Sequence, residues 1–227
     1  TVRHVPISPE GLAMQATTPG ILSCTRNELV PAREPANLNI TFEQLKDRIK
    51  AQYGVDDAKA AAAVEGYRKD DPQRTAYDVL MMAASEGYVR APIHRLAEGL
   101  AKVRGSRLYL MDFNYFTDPT RGAPHSADIP YAFGNLAAGR DPVTGPGPKA
   151  VSEAMMSTFG AFARTGDPNN PRIPEWKHYD AVGRPTLVMD NPPRVVDDFR
   201  GNDRATSAGL PPLEPTQVSG GPLGRAN

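Results

Sequence analysis

The sequence predicts an α/β fold in which helices cover a mostly parallel sheet. Short segments rich in apolar, β-branched or aromatic residues are typical of strands, and they occur at Gly20–Cys24, Arg107–Tyr115 and Pro185–Asp190. Long helical stretches separate these segments, as the crossover connections of parallel strands require. The chain has 227 residues, of which 40% are hydrophobic and 23% charged, and this suits one globular domain with a sizeable core.

The first predicted helix has clear start and stop signals. Thr41 and Gln44 have the spacing of a capping box, and Gly54 ends the helix. Its apolar stripe consists of Phe42, Leu45, Ile49 and Tyr53.

Four further helices are predicted between the strands. The alanine-rich run Asp57–Arg68 and the segment Tyr77–Ser85 favour helix by propensity. Pro92 suits the first turn of another helix, which ends near Gly105. Lys149–Arg164 carries apolar residues at helical spacing before its stop signals.

Glycine and proline mark the loops and the end of the chain. Asp141–Pro148 alternates the two residue types and is typical of a surface loop. From Gly201 onward no large apolar periodicity remains, which predicts a flexible, Gly/Pro-rich tail over residues 201–227. Residues 1–200 are therefore predicted to form a single domain.

Charge and hydropathy exclude two classes of partner. The 26 basic and 26 acidic side chains give a formal net charge of +0. The chain therefore has no excess of positive charge that would attract nucleic acid or an anionic membrane. No apolar run approaches the roughly 20 residues of a membrane helix, and the first residues lack the apolar core of a signal peptide. Cys24 is the single cysteine, and no two histidines have metal-ligand spacing. We expect no membrane span, metal or cofactor, while secreted, periplasmic and cytoplasmic locations stay open.

Two titratable residues come after predicted strands. Glu28 follows the strand at 20–24, and His125 lies ten residues beyond Tyr115, where the second strand ends. The loops at the carboxyl ends of parallel strands converge, and reactive groups gather there. Taken singly, however, such a histidine or glutamate is more typical of a solvated surface side chain.

Four segments occur in an order that characterises one family. Gly122–Leu136 reads Gly-Ala-Pro-His-Ser-Ala-Asp-Ile-Pro-Tyr-Ala-Phe-Gly-Asn-Leu, and Thr18–Leu29 is similar to Val-Pro-Leu-Leu-Ile-Gly-Thr-Thr-Arg-Asp-Glu-Gly. Met156–Asn169 resembles Trp-x-x-Phe-Ala-x-Thr-Gly-x-Pro-Asn, and Trp176–Asp190 contains segments similar to Trp-Pro-x-Tyr-Asp and Arg-x-x-Met. Over roughly residues 18–199 the chain thus resembles the type B carboxylesterases, the cholinesterase-like branch of the α/β-hydrolases.

The resemblance implies that residues 1–200 are the C-terminal portion of a single α/β-hydrolase catalytic domain. It implies Glu28 as the acid and His125 as the base of a triad whose chain order is serine, acid, histidine. The 227 residues contain no Gly-x-Ser-x-Gly, so the serine would lie in an N-terminal portion that precedes residue 1. Ser126 and Asp128 depart from the family, which usually has Gly and Glu there.

The implied function is that of a serine carboxylic ester hydrolase that acts through an acyl-enzyme. His125 would take the serine proton and return it, since an imidazole titrates near neutral pH. Glu28 would hold the correct imidazole tautomer, and loss of the comparable carboxylate in a serine protease costs about 10⁴ in turnover. The implied partners are the N-terminal portion with Gly-x-Ser-x-Gly and a small-molecule ester.

Two other functions are compatible with these residues. A cholinesterase-like protein without catalysis could serve binding or adhesion, but such relatives usually lose triad members, whereas this chain keeps both Glu28 and His125. A helical interaction module is disfavoured, because the strand at 107–115 would have unpaired edges.

Overall fold

The chain forms two compact units. The computed structural model describes residues 8–31, 33–103, 107–118, 121–138 and 143–213. The residues up to Arg26 together with Ile93–Phe199 form the sheet unit. Asn27–Pro92 together with the residues from Arg200 on form the helical unit. Within the described ranges, no helix is long and apolar enough to cross a membrane.

One four-stranded sheet forms the centre of the sheet unit. Its strands, in spatial order, are β1 (Gly20–Thr25), β2 (Leu108–Phe113), β3 (Pro185–Met189) and β4 (Arg194–Asp197). β1, β2 and β3 run parallel, and β4 pairs antiparallel with β3. The predicted α/β class with a mostly parallel sheet is confirmed. The sequence analysis did not predict β4, a strand of four residues whose side chains stay exposed or half-buried.

Helices accompany the strands and build the helical unit. In chain order they are α1 (Pro9–Ala16), α2 (Pro35–Leu38), α3 (Phe42–Tyr53), α4 (Asp57–Arg68), α5 (Ala76–Ser85), the π-helical turn (Glu86–Arg90), α6 (Ala91–Ala101), α7 (Ile129–Ala132), α8 (Pro146–Thr165) and α9 (Gly201–Ala208). The capping box predicted at Thr41 is present, and Gly54 ends α3 in the left-handed conformation with φ 62°.

Successive side chains of β2 point to opposite faces of the sheet and enter two apolar clusters. Leu108 and Leu110 pack in a cluster with apolar residues of α6. Met111 and Phe113 pack in another with apolar residues of α8. All six residues of β2 are buried because helices cover both faces, as is typical of a parallel strand.

Pro92 lies in the first turn of α6, as predicted, and this helix directly continues a longer helical run. α5, the π-helical turn and α6 follow one another without a break. A proline within a helix donates no backbone hydrogen bond, and its ring crowds the carbonyl four residues earlier, here that of Tyr88. In the π-helical turn the Ala91 N–H donates to the Glu86 carbonyl, five residues earlier rather than four. This wider turn makes room for the proline ring.

The tail predicted from Gly201 onward is wrong for its first residues, which form α9. Asp203 is fully buried there and pairs with Arg74 at 2.9 Å. Thr206 lies so close to Gly66 that a Cβ on this glycine would fall 2.2 Å from the threonine Oγ1. α9 is therefore held by an ion pair and by the close packing of Thr206 against Gly66. A search for apolar periodicity in the sequence reveals neither contact. Residues 214–227 lie outside the described ranges.

Candidate active site

His125 lies in the loop after β2 and lines a cavity of about 270 Å³. Its side chain is exposed, so the imidazole is accessible. The aromatic rings that line the same cavity are those of Phe113, Tyr115, Phe116 and Tyr131. An exposed imidazole beside a cavity with an aromatic wall can exchange a proton with a bound molecule.

The turn at His125 depends on an unusual backbone conformation at the next residue. Ser126 has φ 68°, in the left-handed region that favours glycine. A side chain in this region costs on the order of 1–2 kcal/mol. The structure thus gives a reason for the glycine that usually stands here in the family that the sequence resembles.

Packing behind the cavity holds its aromatic lining in place. The Tyr131 and Phe113 rings lie 5.0 Å apart, centre to centre. The hydroxyl of Ser152 on α8 donates to the backbone carbonyl of Tyr131 at 2.8 Å. Burial raises the pKa of Tyr131 to about 12, so this phenol stays neutral near pH 7.

Glu28 follows the end of β1 and is 6% exposed. Its neighbour Leu29 is tied to Ser85 at the end of α5. The Leu29 N–H donates to the Ser85 hydroxyl oxygen at 3.2 Å, and the same hydroxyl donates to the Leu29 carbonyl oxygen at 3.4 Å. Because Ser85 is fully buried, the backbone next to Glu28 has a fixed anchor.

Glu28 belongs to the helical unit and His125 to the sheet unit. Their pairing as acid and base stays a prediction. In the described part of the chain, no three His, Cys, Asp or Glu side chains are grouped so that they could hold a metal ion. The Cys24 thiol is 5% exposed and lies 3.7 Å from an Asp112 carboxylate oxygen.

Four polar side chains form a row along the sheet edge where the parallel strands end, and we call them the strand-end row: Arg26, Asn114, Asp190 and Arg194. Arg26 donates to Asn114 Oδ1 at 2.9 Å, and the Asn114 amide donates to Asp190 Oδ2 at 3.1 Å. Arg194 donates to the same Asp190 oxygen at 3.0 Å. Burial by itself would raise the pKa of Asp190, but these hydrogen bonds and that of the Asn191 N–H lower it overall.

The sequence analysis did not single out the strand-end row. Arg26, Asn114 and Asp190 are each the first residue after a parallel strand. A polar residue directly after a buried strand is thus a signal that could have found them.

Comparisons with known proteins show the family of this chain. The sequence profile of the carboxylesterase family matches residues 14–206. Phenmedipham hydrolase of Pseudarthrobacter oxydans is 26% identical over 199 residues, which are 84% of this chain and 38% of that protein. Carboxylesterase 4A of Bos taurus is 32% identical over 154 residues, which are 63% of this chain and 24% of that protein.

Solved structures share the fold. Carboxylesterase EST55 of Geobacillus stearothermophilus matches 88% of this chain and 42% of its own, with a TM-score of 0.72 and 26% identity. A PNB esterase matches 87% of this chain and 40% of its own, with a TM-score of 0.60 and 20% identity. The chain therefore spans about two-fifths or less of the length of these relatives. Since the family profile extends over residues 14–206, this protein belongs to the carboxylesterase family.

Proposed function

We propose that this chain supplies the base and the acid of a serine carboxylic ester hydrolase. The observation that carries the proposal is the exposed His125 on an aromatic-lined cavity after β2, in a chain of the carboxylesterase family. The names of its relatives, a phenmedipham hydrolase and a carboxylesterase, support hydrolysis as the reaction. The proposed substrate is a small-molecule ester.

In the proposed mechanism, His125 moves one proton in each half-reaction. The imidazole takes the proton of a serine hydroxyl as its oxygen attacks the ester carbonyl, and it then protonates the leaving alcohol. The same imidazole takes a proton from the water that attacks the acyl-enzyme and returns it to the serine. Glu28 accepts a hydrogen bond from the other ring nitrogen and stabilises the imidazolium that forms twice in each cycle.

The serine belongs, in this proposal, to an N-terminal portion of the same catalytic domain. Three observations support this. The 227 residues contain no Gly-x-Ser-x-Gly, and the chain covers 38% of phenmedipham hydrolase. In the described sheet β1 is an edge strand, although its first four residues are half-buried rather than exposed. An apolar parallel strand such as Gly20–Thr25 normally has neighbours on both sides.

The test uses the active enzyme that contains this chain and its Gly-x-Ser-x-Gly portion, assayed on a p-nitrophenyl ester. His125→Ala should lower kcat by at least about 10⁴, and Glu28→Gln by about 10⁴, with the fold retained. His178→Ala is the matched control, since this exposed histidine lies in the same unit and packs edge to face against Tyr109, with the ring centres 4.8 Å apart. The control should stay within about twofold. Wild-type turnover by His125→Ala would overturn the proposal.

A further inference from the structure

Arg26 connects the end of β1 to the cavity that His125 lines. Its guanidinium donates to Asn114 Oδ1 at 2.9 Å and lies 5.3 Å from the centre of the Phe116 ring. Phe116 in turn lines the His125 cavity, whereas Arg26 is not one of its lining residues in the described chain. We propose that Arg26 is a positioning residue of the esterase site, which fixes the cavity wall at Phe116. This inference rests on the function proposed above.

The backbone places the Arg26 side chain at a defined point. The Arg26 N–H donates to the Phe113 carbonyl at 2.8 Å, which extends the pairing of β1 with β2 by one residue. The side chain therefore leaves the sheet where the parallel strand ends.

The partner of Arg26 is itself fixed. The Asn114 N–H donates to the Met189 carbonyl at 2.9 Å, and the Asn114 side chain donates to Asp190 Oδ2 at 3.1 Å. Asn114 is 6% exposed, so it has little freedom to move with Arg26. The contact between Arg26 and Asn114 therefore connects β1, and Phe116 in the cavity wall, to the two central strands β2 and β3.

Arginine suits this position better than lysine. A planar guanidinium can lie over a ring with its face while its edge donates to an amide oxygen, and an ammonium on a flexible stem cannot do both at once. In an enzyme site a displacement of about 1 Å can cost about 10² in rate. Loss of Arg26 should therefore lower the rate of the chemical step more than the binding of substrate.

The experiment compares Arg26→Ala, Arg26→Lys and Arg184→Ala in the active enzyme that contains this chain. Arg26→Ala should lower kcat about 10- to 100-fold with KM changed less than about threefold. Arg26→Lys should recover only part of this loss, and millimolar guanidinium, but not methylammonium, should raise kcat of Arg26→Ala. Arg184 is the matched control, because this half-buried arginine donates to Glu98 at 3.2 Å directly before β3, at the sheet edge opposite the strand-end row. Arg184→Ala should stay within about twofold.

The outcomes separate this inference from the proposed function. Turnover by His125→Ala would overturn the esterase site itself. If His125→Ala is inactive while Arg26→Ala keeps wild-type kcat, the positioning role is wrong and the proposed function stands. A loss equal in Arg26→Ala and Arg184→Ala, without rescue by guanidinium, would also overturn the positioning role. Should Arg26→Ala fail to fold, Arg26→Lys and Asn114→Ala replace it, and wild-type kcat in both contradicts the inference.

Discussion

Glu86 and Arg90 form a buried ion pair within the π-helical turn, and removing one partner should destabilise the protein strongly. Arg90 Nε donates to Glu86 Oε1 at 2.5 Å, and the two side chains are 2% and 1% exposed. Burial raises the pKa of Glu86, and the positive charge of Arg90 opposes this rise. Arg90→Met keeps a side chain of comparable length but leaves the carboxylate without its guanidinium.

We expect Arg90→Met to lower the free energy of unfolding by about 3–5 kcal/mol, because it leaves a charge buried and uncompensated. The double variant Glu86→Leu/Arg90→Met removes both charges and should lose less than about 2 kcal/mol. Urea unfolding of the enzyme that contains this chain measures both values. The control is Arg172→Met, which breaks the more exposed pair with Glu153 at 2.8 Å and should cost at most about 1 kcal/mol.

The same ion pair predicts a dependence on pH. Without Arg90 the pKa of Glu86 in the folded state should rise further above its unfolded value. The protonated form then stabilises the fold below the unfolded pKa, and this contribution is lost as pH rises through the folded pKa. The loss of unfolding free energy caused by Arg90→Met should therefore be larger near neutral pH than at about pH 4. If this loss does not depend on pH, or if the double variant is as unstable as Arg90→Met, an unpaired Glu86 carboxylate is not the cause of the destabilisation.

Two further predictions concern the ends of β1 and β3. Ser85→Ala removes the hydroxyl that bonds to Leu29 and should lower the free energy of unfolding by about 1–3 kcal/mol, measured by urea unfolding; an unchanged midpoint would contradict this. Because its pKa is lowered, Asp190 should stabilise the fold above about pH 4 and lose this effect as pH falls through its folded pKa. The stability gap between wild type and Asp190→Asn should therefore shrink in acid, and a constant gap would exclude this role.

Local signals were enough to predict the three parallel strands and the five helices of ten or more residues. The capping box at Thr41 and the glycine at Gly54 set the ends of α3, and both were visible within a few residues of sequence. The strand at 20–24 needed only a short apolar run. β1, β2 and β3 were predicted within two residues of their observed ends.

The features that sequence did not predict depend on distant residues. α9 is held by the pair of Asp203 with Arg74, 129 positions apart, and its own sequence gives no apolar stripe. The strand-end row joins Arg26 to Asn114 across 88 positions, so neither residue shows its partner locally. The roles of Glu28 and His125 came from resemblance to a family, since single residues after strands do not define a triad.

Ester hydrolysis by residues 1–227, with and without the portion that carries Gly-x-Ser-x-Gly, tests the proposed division of the active site most directly. We predict no turnover of a p-nitrophenyl ester by either part alone. Turnover should occur when the two parts are joined or combined, and His125→Ala should abolish it. Hydrolysis by residues 1–227 alone, or by the combined enzyme with His125→Ala at the wild-type rate, would contradict the assignment of His125 as the base for a serine outside this chain.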